Sequence, residues 1–354
     1  LINSEHRIPW QGFKRQYLSS SSQLDHRTYP AQKSCPAYAV ERLEATYLDA
    51  EIVPFDDQSR LIFFSDCHRG DKGAADQFKQ NERLFLSALR TYDQAGYIYV
   101  EVGDGDDLWL HRSFDRVKDS YPEIFSYFRR LYREGRLHFI LGNHDQTFMG
   151  QRWSNKVGIP LREGLIFKHQ DTGQEIFVFH GHQADYVSDR LAFIGRRLVR
   201  HVWRRVLQQG WGEAIQELVG KRGGLAIQNR ILAWMRGNQR VVITGHTHQL
   251  AFPTDSRLPY YNTGSCSGSS WITGIEVADG FIVPVRWRLQ PGTLRNPEQD
   301  FLREWLAPPR HLREFIDNSE EESFPLSWPI SMPMENPLAF PAAESRAPLL
   351  DWTL

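Results

Sequence analysis

The sequence has few cysteines, no long apolar run and no excess of either charge. Its three cysteines, Cys35, Cys67 and Cys266, lie far apart and form no Cys-x-x-Cys pair. That spacing excludes a disulfide scaffold or a cysteine-rich zinc module and predicts free thiols in a reducing compartment, the cytoplasm. No stretch approaches the roughly 18 consecutive apolar residues of a membrane-spanning helix, and the first thirty residues lack the apolar core expected of a secretory signal. Lysine and arginine number 42 against 43 acids, so the net charge of −1 names no acidic or basic partner. Glycine is nearly missing from the end: the last 64 residues, from Pro291, hold one glycine and ten of the 19 prolines. Such a segment predicts an extended arm over 291–354, anchored on the body or on a partner, rather than a packed domain, with a disordered terminus as the alternative.

What is present has ordinary globular composition, 41% hydrophobic and 24% charged over 354 residues, a length of one large or about two average domains. Residues 1–58, with the run Ser19 to Ser22, read as an irregular lead-in. From residue 59 to 290, short apolar runs alternate with helical stretches. The runs are Leu61 to Ser65, Tyr97 to Val102, Leu137 to Leu141, Ile176 to Phe179 and Val241 to Thr244, and the helices include Asn81 to Tyr92 and Pro122 to Arg133. This is the pattern of buried parallel strands with helical crossovers, an α/β fold. After Leu258 the texture becomes antiparallel, with Tyr260 to Asn262, Ile272 to Val277 and Phe281 to Trp287 read as a meander.

Each of the five apolar runs stops at residues that bind divalent metals. The endings are Asp66-Cys67-His68, Gly103-Asp104-Gly105-Asp106-Asp107, Gly142-Asn143-His144-Asp145, His180-Gly181-His182 and Gly245-His246-Thr247-His248. Ligands bind beyond the carboxyl ends of strands in open α/β sheets, so five such endings are expected to converge. Asp66 and His68, like His246 and His248, are spaced to leave an extended segment from one face, with Cys67 turned away as a packed thiol. Asp66, His68, Asp104, Asn143, His180, His246 and His248 are imidazoles, carboxylates and one carboxamide. The set is too large for one tetrahedral ion and suits two ions, Mn, Fe or Zn, sharing a carboxylate. Asp106 and Asp145 read as self-capping loop residues.

The order Asp-x-His, Gly-Asp-x-x-Asp, Gly-Asn-His-Asp, a later His and Gly-His-Thr-His, over about 61–288, resembles the calcineurin-like metallophosphoesterase superfamily. The resemblance implies two stacked mixed β-sheets flanked by helices, an α/β/β/α sandwich. It implies that Asp66, His68, Asp104 and His248 hold one metal and Asp104, Asn143, His180 and His246 the other, with Asp104 as bridge. It also implies a metal-bridging hydroxide as nucleophile, His144 as the general acid, and Asp107 as the residue that orients it. Gly103 to Trp109 and the long insertion before His246 are most similar, within the superfamily, to bacterial UDP-2,3-diacylglucosamine pyrophosphohydrolases.

That insertion, 189–240, is read as a basic helical cap: Arg190 to Arg240 holds eleven basic residues and two acids. On a helical wheel Leu191, Ile194, Leu198, Val202 and Val206 oppose Arg190, Arg197, Arg200 and Arg204, and Phe193 sits among the arginines. Arginine with apolar contacts suits a lipid-linked phosphate and peripheral membrane contact, while docking on another part of the chain suits it equally. Arg69, His182, Arg197 and Arg204 are the candidate substrate-binding residues, His182 reading either as facing substrate or as supporting the ligands from behind. The expected activity is hydrolysis of a phosphate ester or pyrophosphate, of a small or lipid-linked substrate. The alternatives are a nucleotide or cyclic-nucleotide phosphodiesterase, a nuclease, or a non-catalytic scaffold, with no nucleic-acid module visible.

Overall fold

The computed structural model describes residues 35–111, 113–145, 155–186, 212–236, 240–253, 258–289 and 301–316. The chain runs α1 (Ala37–Leu48), β1 (Glu51–Phe55), β2 (Leu61–Phe64), α2 (Glu82–Gln94), β3 (Ile98–Val102), α3 (Phe114–Ser120), α4 (Pro122–Arg133) and β4 (Leu137–Ile140). It continues with β5 (Asn155–Lys156), β6 (Ile159–Arg162), β7 (Gly164–His169), β8 (Glu175–Phe179), α5 (Gly212–Met235) and β9 (Val241–Thr244). Then come β10 (Leu250–Ala251), β11 (Tyr260–Thr263), β12 (Trp271–Ala278), β13 (Phe281–Leu289), β14 (Phe301–Trp305) and β15 (Arg310–His311).

Two mixed sheets result. One has the order β1-β7-β8-β9-β11-β10, and the other β14-β13-β12-β2-β3-β4-β6-β5, with β15 on β13. Their strands are apolar on both faces because both faces are covered. In β2, Leu61 and Phe63 enter the layer between the sheets, while Ile62 and Phe64 meet Phe85, Leu89 and Tyr92 of α2. In β8, Ile176 and Val178 point between the sheets, while Phe177 and Phe179 point outward to Leu43 of α1 and Ile231 and Trp234 of α5. Helices therefore cover both outer faces, and the architecture is the expected α/β/β/α sandwich. Among the described residues no helix is long and apolar enough to cross a membrane.

Three sequence expectations need correction. The lead-in is regular from Ala37 onward, because Leu43 and Thr46 of α1 bury against the first sheet and β1 pairs in parallel with β7. β11 is no part of a meander: it lies parallel to β9 in the first sheet, whereas β12 and β13 form an antiparallel hairpin in the second. Residues 301–305 of the proline-rich segment are extended: β14 pairs with β13 in the second sheet, and the Arg303 guanidinium reaches buried Glu276. The last part of the supposed cap, Ile227 to Met235, packs on the first sheet, and Trp234 Nε1 donates to Glu44 Oε1 at 2.8 Å.

Candidate metal centre

β2, β3 and β4 run parallel in one sheet, and β8 and β9 run parallel in the other. Their carboxyl ends meet at one edge of the sandwich, and the loops beyond them are laced together. His68 N donates to Asp104 O at 3.0 Å, Arg69 N to Gly105 O at 3.0 Å, Asp107 N to Arg69 O at 3.0 Å, and Gly245 N to His180 O at 2.9 Å. Eight non-glycine residues among those described have positive φ, and five are Asp66 (51°), His68 (50°), Asp104 (50°), His246 (69°) and His248 (56°). Backbone in this region is unfavourable for most side chains, and its clustering here marks a site the surrounding fold holds in place.

His68, Asp104 and His144 lie within metal-binding reach of one another, and two further groups of donors form beside them. In the first, His248 Nε2 lies 3.1 Å and His68 Nε2 3.7 Å from Asp66 Oδ1, and the two imidazole nitrogens are 3.1 Å apart. In the second, His180 Nε2 is 3.2 Å from Asp104 Oδ2 and 3.2 Å from Asn143 Oδ1, with His246 close enough to complete the set. His180 Nδ1 meets the Val102 carbonyl at 2.7 Å, which aims Nε2 at the site. Asp104 Oδ2 stands between the groups, 3.9 Å from His68 Nε2 as well.

The donor chemistry fits two divalent cations. Asp66 Oδ1 is fully buried, and among the described residues no well-aligned hydrogen bond reaches it. Burial works to raise the Asp66 pKa, but His248 and His68 outweigh it and hold the carboxyl well below its usual range. A buried anion facing two imidazole nitrogens is the arrangement a cation relieves. Asp66 Oδ2 is committed elsewhere, accepting from His246 N at 2.9 Å.

His144 sits beside the first group, its ring 4.6 Å from that of His68. Its Nδ1 is 2.9 Å from Asp107 Oδ1, and its backbone N–H donates to Asp104 Oδ1 at 2.8 Å. Burial opposes a charge on His144, but Asp104 and Asp107 outweigh it and raise its pKa to about 9. Burial works the other way on Asp107, and His144 overrides it to bring that carboxyl down to about 2. The two neighbouring carboxylates thus favour the charged form of the His144 imidazole.

Of the substrate-binding candidates, Arg69 and His182 are both buried. Arg69 is fully buried and takes no part in the surface: Nε donates to Asp106 Oδ1 at 2.7 Å, and its two terminal nitrogens to Glu101 at 2.7 and 2.9 Å. His182 is fully buried as well, against His180 and His246, so it faces protein rather than substrate. Arg197 and Arg204 lie outside the described residues. Asp106 and Asp145 do more than cap their own loops. Asp106 Oδ2 is 2.6 Å from the buried Lys156 Nζ, which also reaches Glu101 at 3.0 Å. Asp145 Oδ2 accepts from Asp104 N at 3.0 Å and Gly142 N at 3.2 Å, placing it under the residue that stands between the two groups.

Several supporting residues were missed from the sequence. Ser265 and Ser267 both donate to the Asp66 carbonyl at 3.0 Å, and Asn262 Nδ2 donates to the Gly245 carbonyl at 2.6 Å. The signal was available: Asn262-Thr263-Gly264-Ser265 ends an apolar strand in polar residues, as the five recognised endings do. Lys156 carried no such signal.

A family model described as calcineurin-like phosphoesterase matches residues 59–250. No curated protein matches the chain in sequence. Among solved structures the chain is similar to Yfce, a phosphoesterase from E. coli, with 14% identity over 63% of this chain and 91% of that one, TM-score 0.32. It is also similar to Vacuolar Protein Sorting 29 from Cryptosporidium parvum, with 13% identity, 70% and 98% coverage and TM-score 0.35. A third likeness is to the calcineurin-like phosphoesterase YfkN from Bacillus subtilis, with 11% identity, 72% and 91% coverage and TM-score 0.32.

Proposed function

Since the chain belongs to the calcineurin-like phosphoesterase family, we propose that it hydrolyses a phosphate ester or pyrophosphate with two divalent ions of Mn, Fe or Zn. In this reading Asp66, His68, Asp104 and His248 hold one ion, and Asp104, Asn143, His180 and His246 hold the other. The observation that carries it is the position of Asp104 Oδ2, 3.2 Å from His180 Nε2 and 3.9 Å from His68 Nε2, one oxygen between two donor groups. When bound, the ions would supply positive charge to offset the negative charge that an attacked phosphoryl group gathers, and the acidity that makes water a nucleophile at neutral pH.

The remaining chemistry belongs to the side chains. His144, held by Asp107 through Nδ1, has Nε2 available to give its proton to the departing oxygen, so the leaving group departs neutral and His144 is left as neutral imidazole. Asp145 fixes the Asp104 backbone from below, and Ser265 and Ser267 fix that of Asp66. A lipid-linked substrate is a further part of the proposal, and its support is the sequence of the basic segment alone.

The test is elemental analysis of the purified chain, removal of metal by chelation, and turnover after adding back Mn, Fe or Zn. The substrates are p-nitrophenyl phosphate, bis(p-nitrophenyl) phosphate, cyclic nucleotides and a lipid-linked pyrophosphate. Two ions per chain with turnover that returns only with metal supports the reading. A fully metallated chain that turns over none of these would leave the scaffold alternative in its place.

A further inference from the structure

Trp109 lies against His144 in a way that the acid role alone does not require. The indole is stacked on the imidazole, with ring centroids 4.3 Å apart and planes at 11°, and its Nε1 donates to the carbonyl of Asn143 at 2.8 Å. It therefore grips two consecutive residues, one in each proposed role: the ion-holding carboxamide and the proton donor. Trp109 is also tied to the third partner, because Asp107 Oδ1 accepts from Trp109 N at 3.1 Å and Leu110 N at 3.1 Å while it meets His144 Nδ1 at 2.9 Å.

A single Nδ1 hydrogen bond leaves an imidazole free to swing about the line joining Nδ1 to its acceptor, and that swing would carry Nε2 away from any fixed point. A stacked ring removes this freedom by setting the plane. The ring of His68, at 83° to that of His144, closes the remaining side. The side chain of Trp109 is itself pinned at both ends and is only 9% exposed, so it is stiff enough to serve as the reference surface.

We propose that Trp109 is a positioning residue that sets the plane of His144 and so directs its Nε2 proton at the leaving-group oxygen. The proposal deepens the reading above and rests on His144 as the proton donor. It assigns to the indole N–H a separate task, holding the Asn143 carbonyl so that the Asn143–His144 peptide stays fixed.

The experiment compares turnover of ethyl phosphate with that of p-nitrophenyl phosphate, whose leaving group hardly needs a proton, in the full metallated chain. Trp109→Leu, Trp109→Phe, His144→Asn and the double variants are measured, with bound metal counted in each. Trp109→Leu is expected to retain two ions and to lose about three- to tenfold more rate on the ethyl ester than on the nitrophenyl ester. Trp109→Phe, which keeps an aromatic face and drops the N–H, should fall between Trp109→Leu and wild type. In the His144→Asn background neither substitution should add a leaving-group-dependent loss.

Equal losses on both esters, or a selective loss that persists without His144, would overturn the assignment of Trp109 while leaving His144 in place. If His144→Asn itself shows no leaving-group selectivity, the acid reading fails and this proposal with it. Should Trp109→Leu not fold, Trp109→Phe decides by the same comparison.

Discussion

His68 and His248 face one another Nε2 to Nε2 at 3.1 Å, with Asp66 Oδ1 3.1 Å from the second of them. Two imidazole nitrogens that close cannot both carry a proton on the facing atoms: either one donates to the other, or both turn lone pairs to a cation between them, as the proposed function has it. His248→Ala should therefore lower bound metal from two ions per chain to one, and His246→Ala should remove the other. Asp104→Asn should loosen both and abolish turnover. Elemental analysis after gel filtration checks this, and two tightly held ions in Asp104→Asn would sink the shared-carboxylate assignment.

The pairing of His144 with Asp107 gives a second expectation. His144→Asn should keep both ions yet lose about 10²- to 10⁴-fold on alkyl phosphate esters, with a much smaller loss on p-nitrophenyl esters. Asp107→Asn should follow the same pattern, since His144 Nδ1 has its 2.9 Å partner there. Uniform losses across leaving groups would mean that His144 only positions substrate.

Beneath the site, the buried cluster of Arg69, Lys156, Glu101 and Asp106 answers to stability rather than to substrate. Lys156→Met leaves Asp106 and Glu101 short of a partner in a site with no exposure, a change that costs about 3–5 kcal/mol. Urea melts of the metal-loaded chain measure it, and a cost under about 1 kcal/mol would show that the cluster relaxes or hydrates.

The same cluster sets an acid limit. Burial works to raise the Glu101 pKa from 4.5, but Arg69 and Lys156 outweigh it and bring it to about 2. A depressed folded-state pKa contributes stability that is fully present above the unfolded value near 4.5 and is lost as pH falls toward about 2. Wild-type stability should decline across that window, and Glu101→Gln, less stable at neutral pH, should decline less steeply. Parallel curves for the two proteins would remove Glu101 as a source of the acid sensitivity.

Gly142 offers a steric test that leaves every donor in place. A methyl group there would run into the Asp104 carboxylate and backbone nitrogen. Gly142→Ala should fold, bind neither ion firmly and lose at least about a hundredfold in turnover. Normal metal content in this variant would mean that Asp104 has room to move.

Much of this was legible because an apolar run that ends in Asp, Asn or His states both where a strand lies and what stands at its tip. Leu61 to Ser65, Tyr97 to Val102 and Val241 to Thr244 all became strands with the expected donors beyond them. Pairing partners were not legible in the same way. Tyr260 to Asn262 reads as a strand, but nothing in it says that it lies beside β9 rather than β12. Arg69 illustrates the other gap. An arginine beside a metal motif suggests an anion-binding surface, and only the fold reveals that Glu101, Asp106 and Lys156, distant in sequence, enclose it. The expectations placed on Arg197 and Arg204 lie outside the described residues.

The positive φ of Asp66, His68, Asp104, His246 and His248 restricts how these positions can change over time. Aspartate, asparagine and histidine are at once good donors to a hard or borderline cation and the non-glycine residues that most readily accept a left-handed backbone. Glutamate and cysteine offer donor atoms without that tolerance, and glycine offers the tolerance without a donor. Each of the five positions therefore answers to two independent filters, and only a very short list of residues passes both. Drift toward another ligand set would require the backbone and the side chain to change together, so the centre is expected to be lost outright more readily than to be retuned.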